Sequence, residues 1–431
     1  MNREKTGYRG KGNLPAVHRV RPTELGFTLV ELMVAITGGL FVSMVVFALA
    51  RDGSRFYQRE SRIAEATLGN VVAFDRLEHD IARAGFLSTP NLTKDPLYCG
   101  DATTIKQLPA QLQNLASIRI DADSIAANNA TLKTAGRTPE SITLSGAFNS
   151  VDRYESWHVD VSDTGYTVRL QTRIGALLRQ NFATLPVASQ TTILSQIFPT
   201  GRAIRLLNVD TGTFQISTIA GTRMLGGEAY IDLPATPVLN IAGQQRCGLR
   251  GTTLVNVINV VKYALQTVRG NTTDFPNYQQ LFATGNQPYE ADRLELVRQE
   301  LDSTGTPIVG TQEVIAEYAV DLQFALTTLE NAATVPSFAT WGFDVPGTVE
   351  SIAGTTSASA ARPQNIRAVR ARLSVRSREV DRQENVVPSS NVATGLYRIQ
   401  ITDAATKTSG FARVRTLQSD IVIPSQLEVR W

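Results

Sequence analysis

Between Phe27 and Ala50 the chain reads FTLVELMVAITGGLFVSMVVFALA, a run of 24 residues holding one charge, Glu31. As a helix at ~1.5 Å per residue it would extend roughly 36 Å, enough to cross the hydrocarbon core of a bilayer. Any fold for this chain must therefore leave that segment in lipid or bury it whole. The residues before it contain Arg3, Lys5, Arg9, Lys11, Arg19 and Arg21 against only Glu4 and Glu24. That basic excess places the N-terminus on the cytoplasmic side and exports the C-terminal bulk. It also accounts for the net charge of +3, because without residues 1–26 the remainder stands at −1. A near-neutral body gives no reason to expect nucleic acid as a partner.

A secretory signal peptide competes with a retained anchor. Its cut would follow the apolar run, and Phe47-Ala48-Leu49-Ala50 offers a passable small-residue site. Two features oppose it. The run is longer than a usual signal core, and a carboxylate lies near its start. A Glu in a membrane helix costs about 2.5–3.5 kcal/mol at the helix centre, so Glu31 should have a use.

Gly26 is followed by FTLVE and then LMVAI, and this string closely resembles the type IV prepilin motif. The resemblance implies that an inner-membrane prepilin peptidase cuts after Gly26 on the cytoplasmic face and N-methylates Phe27. It also implies that the apolar segment stays as an anchor. Glu31 of one subunit would then pair with the Phe27 ammonium of a neighbour, offsetting the burial of both charges. Prepilin leaders of the main pilus class are often shorter than 26 residues, which leaves the motif itself intact.

After Ala50 the chain turns polar yet keeps a helical period, with Ile63, Thr67, Val71, Phe74, Leu77 and Ile81 at three- and four-residue steps. One helix is expected from about Phe27 to Ala84, with Gly85 as its stop. Gly38 and Gly39 interrupt the apolar half, either for close helix packing or as a soft spot.

Beyond Gly85 short alternating runs predict strands. They include Ser117–Ile120, Ser141–Ser145, Thr167–Thr172, Ala203–Val209, Thr213–Ile219 and Leu254–Leu265. Others are Arg293–Arg298, Tyr318–Ala325, Ile366–Arg376, Phe411–Thr416 and Gln426–Trp431. Thr327–Gln364, rich in Ala, Ser, Thr, Gly and Pro, reads as a flexible loop. The expected fold class is α+β: a long N-terminal helix, half membrane and half amphipathic, packed on an antiparallel β-rich periplasmic domain over 87–431. Residues 95–250 would form an inserted lobe.

Several later segments resemble PilW-type minor pilins, in the same order. HDIARAGF (His79–Phe86) is followed by VVKYAL (Val260–Leu265), RLELVRQEL (Arg293–Leu301) and IAEYAVDLQFAL (Ile315–Leu326). NIRAVRARLSVRSRE (Asn365–Glu379) and FARVRTLQSDIVI (Phe411–Ile423) complete the series. The resemblance covers about 27–86 and 250–431. It implies a non-catalytic minor pilin that joins other minor pilins and the major pilin in an inner-membrane priming complex. Such subunits sit at or near the pilus tip, can carry a large adhesin, and serve cell adhesion and twitching motility. The J-type minor pseudopilin of type II secretion systems is the alternative, but those proteins are about half this length.

The remaining chemistry is sparse. Cys99 and Cys247 are the only thiols and bracket the unmatched region. As periplasmic residues they are candidates for one disulfide, with two separate thiols as the alternative. Asp121 and Asp123 faintly suggest calcium ligands, but the glycine and terminal Glu of a calcium loop are missing, so solvated turn carboxylates are expected. Of three histidines His18 lies in the leader, and His79 and His158 are too few for a histidine-built metal centre. No phosphate-binding loop, H-E-x-x-H, C-x-x-C or G-x-S-x-G occurs, so neither an enzyme nor a cofactor is expected.

Overall fold

The computed structural model describes residues 27–123, 125, 129, 131–132, 136–241, 246–249, 252–281, 290, 292–331, 336–343, 348–355, 361–378, 380, 390–391, 395–396, 398–402 and 409–431. Contacts divide the chain into two units, residues 1–60 and 61–431.

The first unit contains the start of α1 (Leu29–Ala82). The helix passes through Gly38 and Gly39 unbroken, and neither glycine has a neighbour where a Cβ would stand. Leu29–Ser54 is long and apolar enough to cross a membrane, and none of it is buried. One of its hydroxyls is bonded back along the helix. The Thr37 hydroxyl donates to the carbonyls of Met33 (2.9 Å) and Val34 (3.0 Å), which removes a polar group that lipid could not hydrate.

The second unit begins in the later half of α1. Asn70, Ala73, Phe74, Leu77, Asp80 and Ile81 form its buried stripe. The expected stripe is displaced by one position near its start, since Val71 is 48% exposed and Asn70 fully buried. Stepping back by turns from Ile81, Leu77 and Ala73 leads to Asn70. There Asn70 Nδ2 donates to the Arg415 carbonyl at 3.1 Å. The helix stops as expected. Gly85 adopts φ +78°, and its N–H donates to the Ser145 carbonyl at 2.7 Å. A Cβ at Gly85 would also lie 2.7 Å from Ser425 Oγ, so both the conformation and the space require glycine.

Two principal sheets, wholly antiparallel in their pairings, follow. The larger contains β1 (Ile118–Ala122), β2 (Glu140–Gly146), β3 (Tyr154–Ser162), β4 (Gly165–Leu170), β5 (Ala203–Asn208), β6 (Phe214–Thr218), β7 (Gly221–Leu225), β8 (Glu228–Pro234), β9 (Thr253–Gln266), β10 (Glu295–Leu301) and β11 (Glu313–Ala316). The other contains β12 (Ala319–Asn331), β13 (Pro336–Trp341) and β14 (Ile366–Arg376). The pair β15 (Ser390–Asn391) and β16 (Gly395–Leu396) forms a short ladder, and β17 (Arg398–Thr402) and β18 (Ser409–Val422) complete the second sheet in the order β13-β12-β14-β18-β17.

The 14-residue strand β9 organises the larger sheet. Its first half pairs with β3 and β5, and its second half with β2 and β10. Two cores result. In one, Leu77 and Ile81 of α1 pack with Ile142 and Tyr263 of the larger sheet and Phe324 and Leu373 of the smaller. The other runs from Tyr154 to Val255 and includes Phe182, Phe198, Leu206 and Ile231. The segment 95–250 is thus divided. Its strands β1 and β2 share the core of α1, and the second core starts only at Tyr154.

Two expectations fail. Thr327–Gln364 is not a loop throughout, because β12 continues to Asn331, β13 follows, and Thr348–Ala353 is helical. There Trp341 Nε1 donates to Thr328 Oγ1 at 3.0 Å, tying the hairpin. Gln426–Trp431 is not a strand. Pro424 starts a 3-10 turn through Gln426, whose side chain is fully buried.

Candidate processing site and the buried clusters behind it

Thr28, Leu29, Val30 and Glu31 occupy the start of α1. The Thr28 N–H and hydroxyl donate to Glu31 Oε2 at 3.0 and 2.9 Å, and the Glu31 N–H donates to Thr28 Oγ1 at 3.3 Å. This is a capping box: each side chain satisfies a backbone donor that the first helical turn leaves without a carbonyl. Glu31 therefore already has a local role, closing its own helix start. At the third helical position it also faces the positive end of the helix dipole. Phe27 precedes the cap and is 85% exposed. Gly26, the expected cleavage residue, lies outside the described residues. The described residues thus place an exposed Phe27, a capped helix start and an exposed apolar helix in immediate succession.

Cys99 and Cys247 are joined in a disulfide, with Cα atoms 5.5 Å apart across 148 residues of chain. Both flanks are tied to β6. The Cys99 N–H donates to the Phe214 carbonyl at 2.8 Å, and Gln215 Nε2 donates to the Cys247 carbonyl at 2.8 Å. Closing a loop of this length stabilises the fold by on the order of 4–5 kcal/mol in the chain-entropy account.

Asp121 and Asp123 do not gather into a metal site. Asp121 Oδ1 accepts from the Thr355 N–H and hydroxyl. Asp123 is buried rather than solvated, and accepts from the N–H groups of Ile125 and Leu265. Among the described residues no group of three His, Cys, Asp or Glu side chains could hold a metal ion.

A cluster that sequence reasoning did not single out lies at the end of α1. Asp80 Oδ2 accepts from Arg298 Nε and from Tyr263 Oη, each at 2.8 Å, and all three side chains are buried. Burial works against the Arg298 charge, but the hydrogen bond and charge of Asp80 outweigh it and raise its pKa. Burial, reinforced by Asp80, pushes the Tyr263 hydroxyl far up. The signal for this cluster was available: Asp80 shares the helix face of Leu77 and Ile81, where a solvated carboxylate has no place.

A second cluster surrounds Arg293. Its guanidinium meets Glu290 at 3.2 Å and Glu317 at 3.0 Å, and it also pairs with Glu295. It lies 4.0 Å from the Tyr318 ring centroid, and Arg376 lies 4.7 Å from the same centroid. Together the two clusters draw on α1, β9, β10 and the segment before it, β14 and the turn before β12.

Comparison with protein-family models, with curated proteins and with solved structures finds no match.

Proposed function

We propose that this chain is a minor pilin of a type IV pilus, cut between Gly26 and Phe27, that helps to prime assembly and resides at or near the filament tip. The observation that carries this reading is the capped, fully exposed apolar helix starting two residues after the proposed cut. A signal peptide is discarded and needs no continuity with the folded body. Here α1 instead runs on without a break to Ala82, where its side chains enter the core of the second unit.

A second support comes from the segments that resemble PilW-type pilins. His79–Phe86, Val260–Leu265 and Arg293–Leu301 supply Asp80, Tyr263 and Arg298 to one buried cluster. Ile315–Leu326 and Asn365–Glu379 supply Tyr318 and Arg376 to the cluster around Arg293. Five of the six resembling segments are thus coupled to one another, which gives a physical reason for those five to occur as a set.

In this account the first half of α1 holds the precursor in the inner membrane, with the β-rich unit in the periplasm. The peptidase releases Phe27 as a new terminus. Glu31 then has two acceptor oxygens for two tasks, keeping the Thr28 cap and meeting a neighbour's ammonium. Other minor pilins and the major pilin are the partners, with a large adhesin as cargo.

The test is deletion with complementation. Deleting the gene is expected to abolish surface pili, and the wild-type gene to restore them. Gly26→Ala should accumulate uncleaved precursor, and Glu31→Ala should be cleaved yet fail to restore piliation. Normal piliation in the deletion strain would remove the priming role.

A further inference from the structure

At the base of the second core the chain forms a cavity of about 340 Å³. One wall is the loop before β3, with Asn149, Ser150 and Asp152. The helix Val187–Ile197 lines the cavity through Ile193, Gln196 and Ile197. Arg202, Val257 and Asn259 also line it, so the site depends on β9 and the segment entering β5.

Its charges are already matched within the protein. Arg202 pairs with Glu300 at 2.7 Å, and both side chains are nearly buried. Glu300 also accepts from Asn149 Nδ2 at 3.1 Å and from Asn259 Nδ2 at 3.4 Å. Asp152 pairs with Arg179 at 2.6 Å. An ionic ligand would compete with these pairs, whereas a neutral ligand leaves them intact, and the Arg202 Nε–H, which has no partner among the described residues, remains to be met.

The neutral polar groups are less occupied. Asn149 and Asn259 each commit an NH₂ to Glu300, and their amide oxygens have no partner among the described residues. Gln196 is exposed, and neither end of its amide is bonded among the described residues. A wholly apolar ligand would strip water from these amides without replacing it. A flat aromatic ligand would find no stacking partner, because Tyr154 is 3% exposed and meets Phe198 edge-on at 5.0 Å. What remains is a compact ligand bearing several hydroxyls and a small aliphatic face. The hydroxyls suit the amides of Asn149, Asn259 and Gln196, and the aliphatic face suits Ile193, Ile197 and Val257.

We propose that this cavity binds a neutral sugar residue at the end of a glycan. The site is independent of the reading as a filament subunit, since it needs only the folded second unit.

The test uses the full chain in a zwitterionic detergent without a sugar headgroup, applied to an array of glycans ending in neutral hexoses or N-acetylhexosamines. Sialylated and sulfated glycans share the array. Binding is expected to at least one neutral class. Gln196→Ala should weaken it about five- to tenfold, and Gln196→Trp, which fills the cavity, should abolish it. Thr192→Ala on the same helix should leave it unchanged. The Gln196 side chain bonds nothing among the described residues, so unaltered thermal unfolding should accompany these losses. Absence of neutral-glycan binding, binding confined to anionic glycans, or binding undiminished in Gln196→Trp would each overturn the assignment.

Discussion

Between Leu29 and Ser54 α1 buries nothing, whereas between Asn70 and Ile81 the same helix buries a continuous stripe. The two halves share a backbone and differ in what surrounds it. At the start of the first half Thr28 and Glu31 cap one another, and Thr37 bonds back along the helix. The second half sends its polar groups across to other elements, Asn70 to Arg415 and Asp80 to Arg298 and Tyr263. A segment meant for lipid must satisfy its polar groups locally. A segment meant for a protein core can use them to fix its partners.

The strongest way to break this contrast is Arg298→Ala. It leaves Asp80 charged and buried beside Tyr263 alone, and should cost about 3–5 kcal/mol of the second unit's stability by denaturant unfolding. A loss below ~1 kcal/mol would mean that the ion pair is not what fixes the end of α1. Next comes a matched pair of truncations. Leu77→Ala should cost about 2–5 kcal/mol of the same stability, and Leu40→Ala should leave that unfolding transition unmoved. Equal effects would erase the distinction between the halves.

An alkaline titration sharpens the contrast further. The Tyr263 pKa is raised above its ordinary 10.0, chiefly by burial, so the native state keeps a proton that the unfolded state loses. Stability from this group is complete below pH 10 and falls as pH rises above it. Tyr263→Phe should flatten that alkaline decline, and an unchanged pH profile would show that the hydroxyl does not titrate against folding. The smallest effect is expected at the other end. Thr28→Ala removes one side of the capping box and should reduce helicity at the start of α1 by about 0.5–2 kcal/mol, read as faster amide exchange over residues 29–32. Exchange rates over 70–81 should stay the same.

Much of this organisation was legible in the residues. The apolar run, the helical period to Ile81 and the Gly85 stop rest on local rules, and α1 follows them. Ile366–Arg376 is a strand over the expected residues, and apolar and polar residues alternate from Val369 to Arg376. β3 escaped notice because a register shift between Ser156 and His158 interrupts its period. The helix Val187–Ile197 follows Pro186, a helix-start signal hidden by the β-branched Val187, Thr191, Thr192 and Ile193. At the candidate site, the Thr28–Glu31 spacing could be read as a cap as well as a processing motif. The Asp80 cluster was harder, since Arg298 lies 218 residues away and only folding brings it to the helix. The cavity at Gln196 was likewise beyond reach, being assembled from four separate segments.

The central claim is that the apolar half of α1 is kept and that the mature chain begins just before its cap. Mass spectrometry of the N-terminal peptide from membrane-extracted protein tests this directly. The account predicts a terminus at Phe27 carrying one N-methyl group. A mature chain beginning after Ala50, or an uncut chain that still functions, would contradict it.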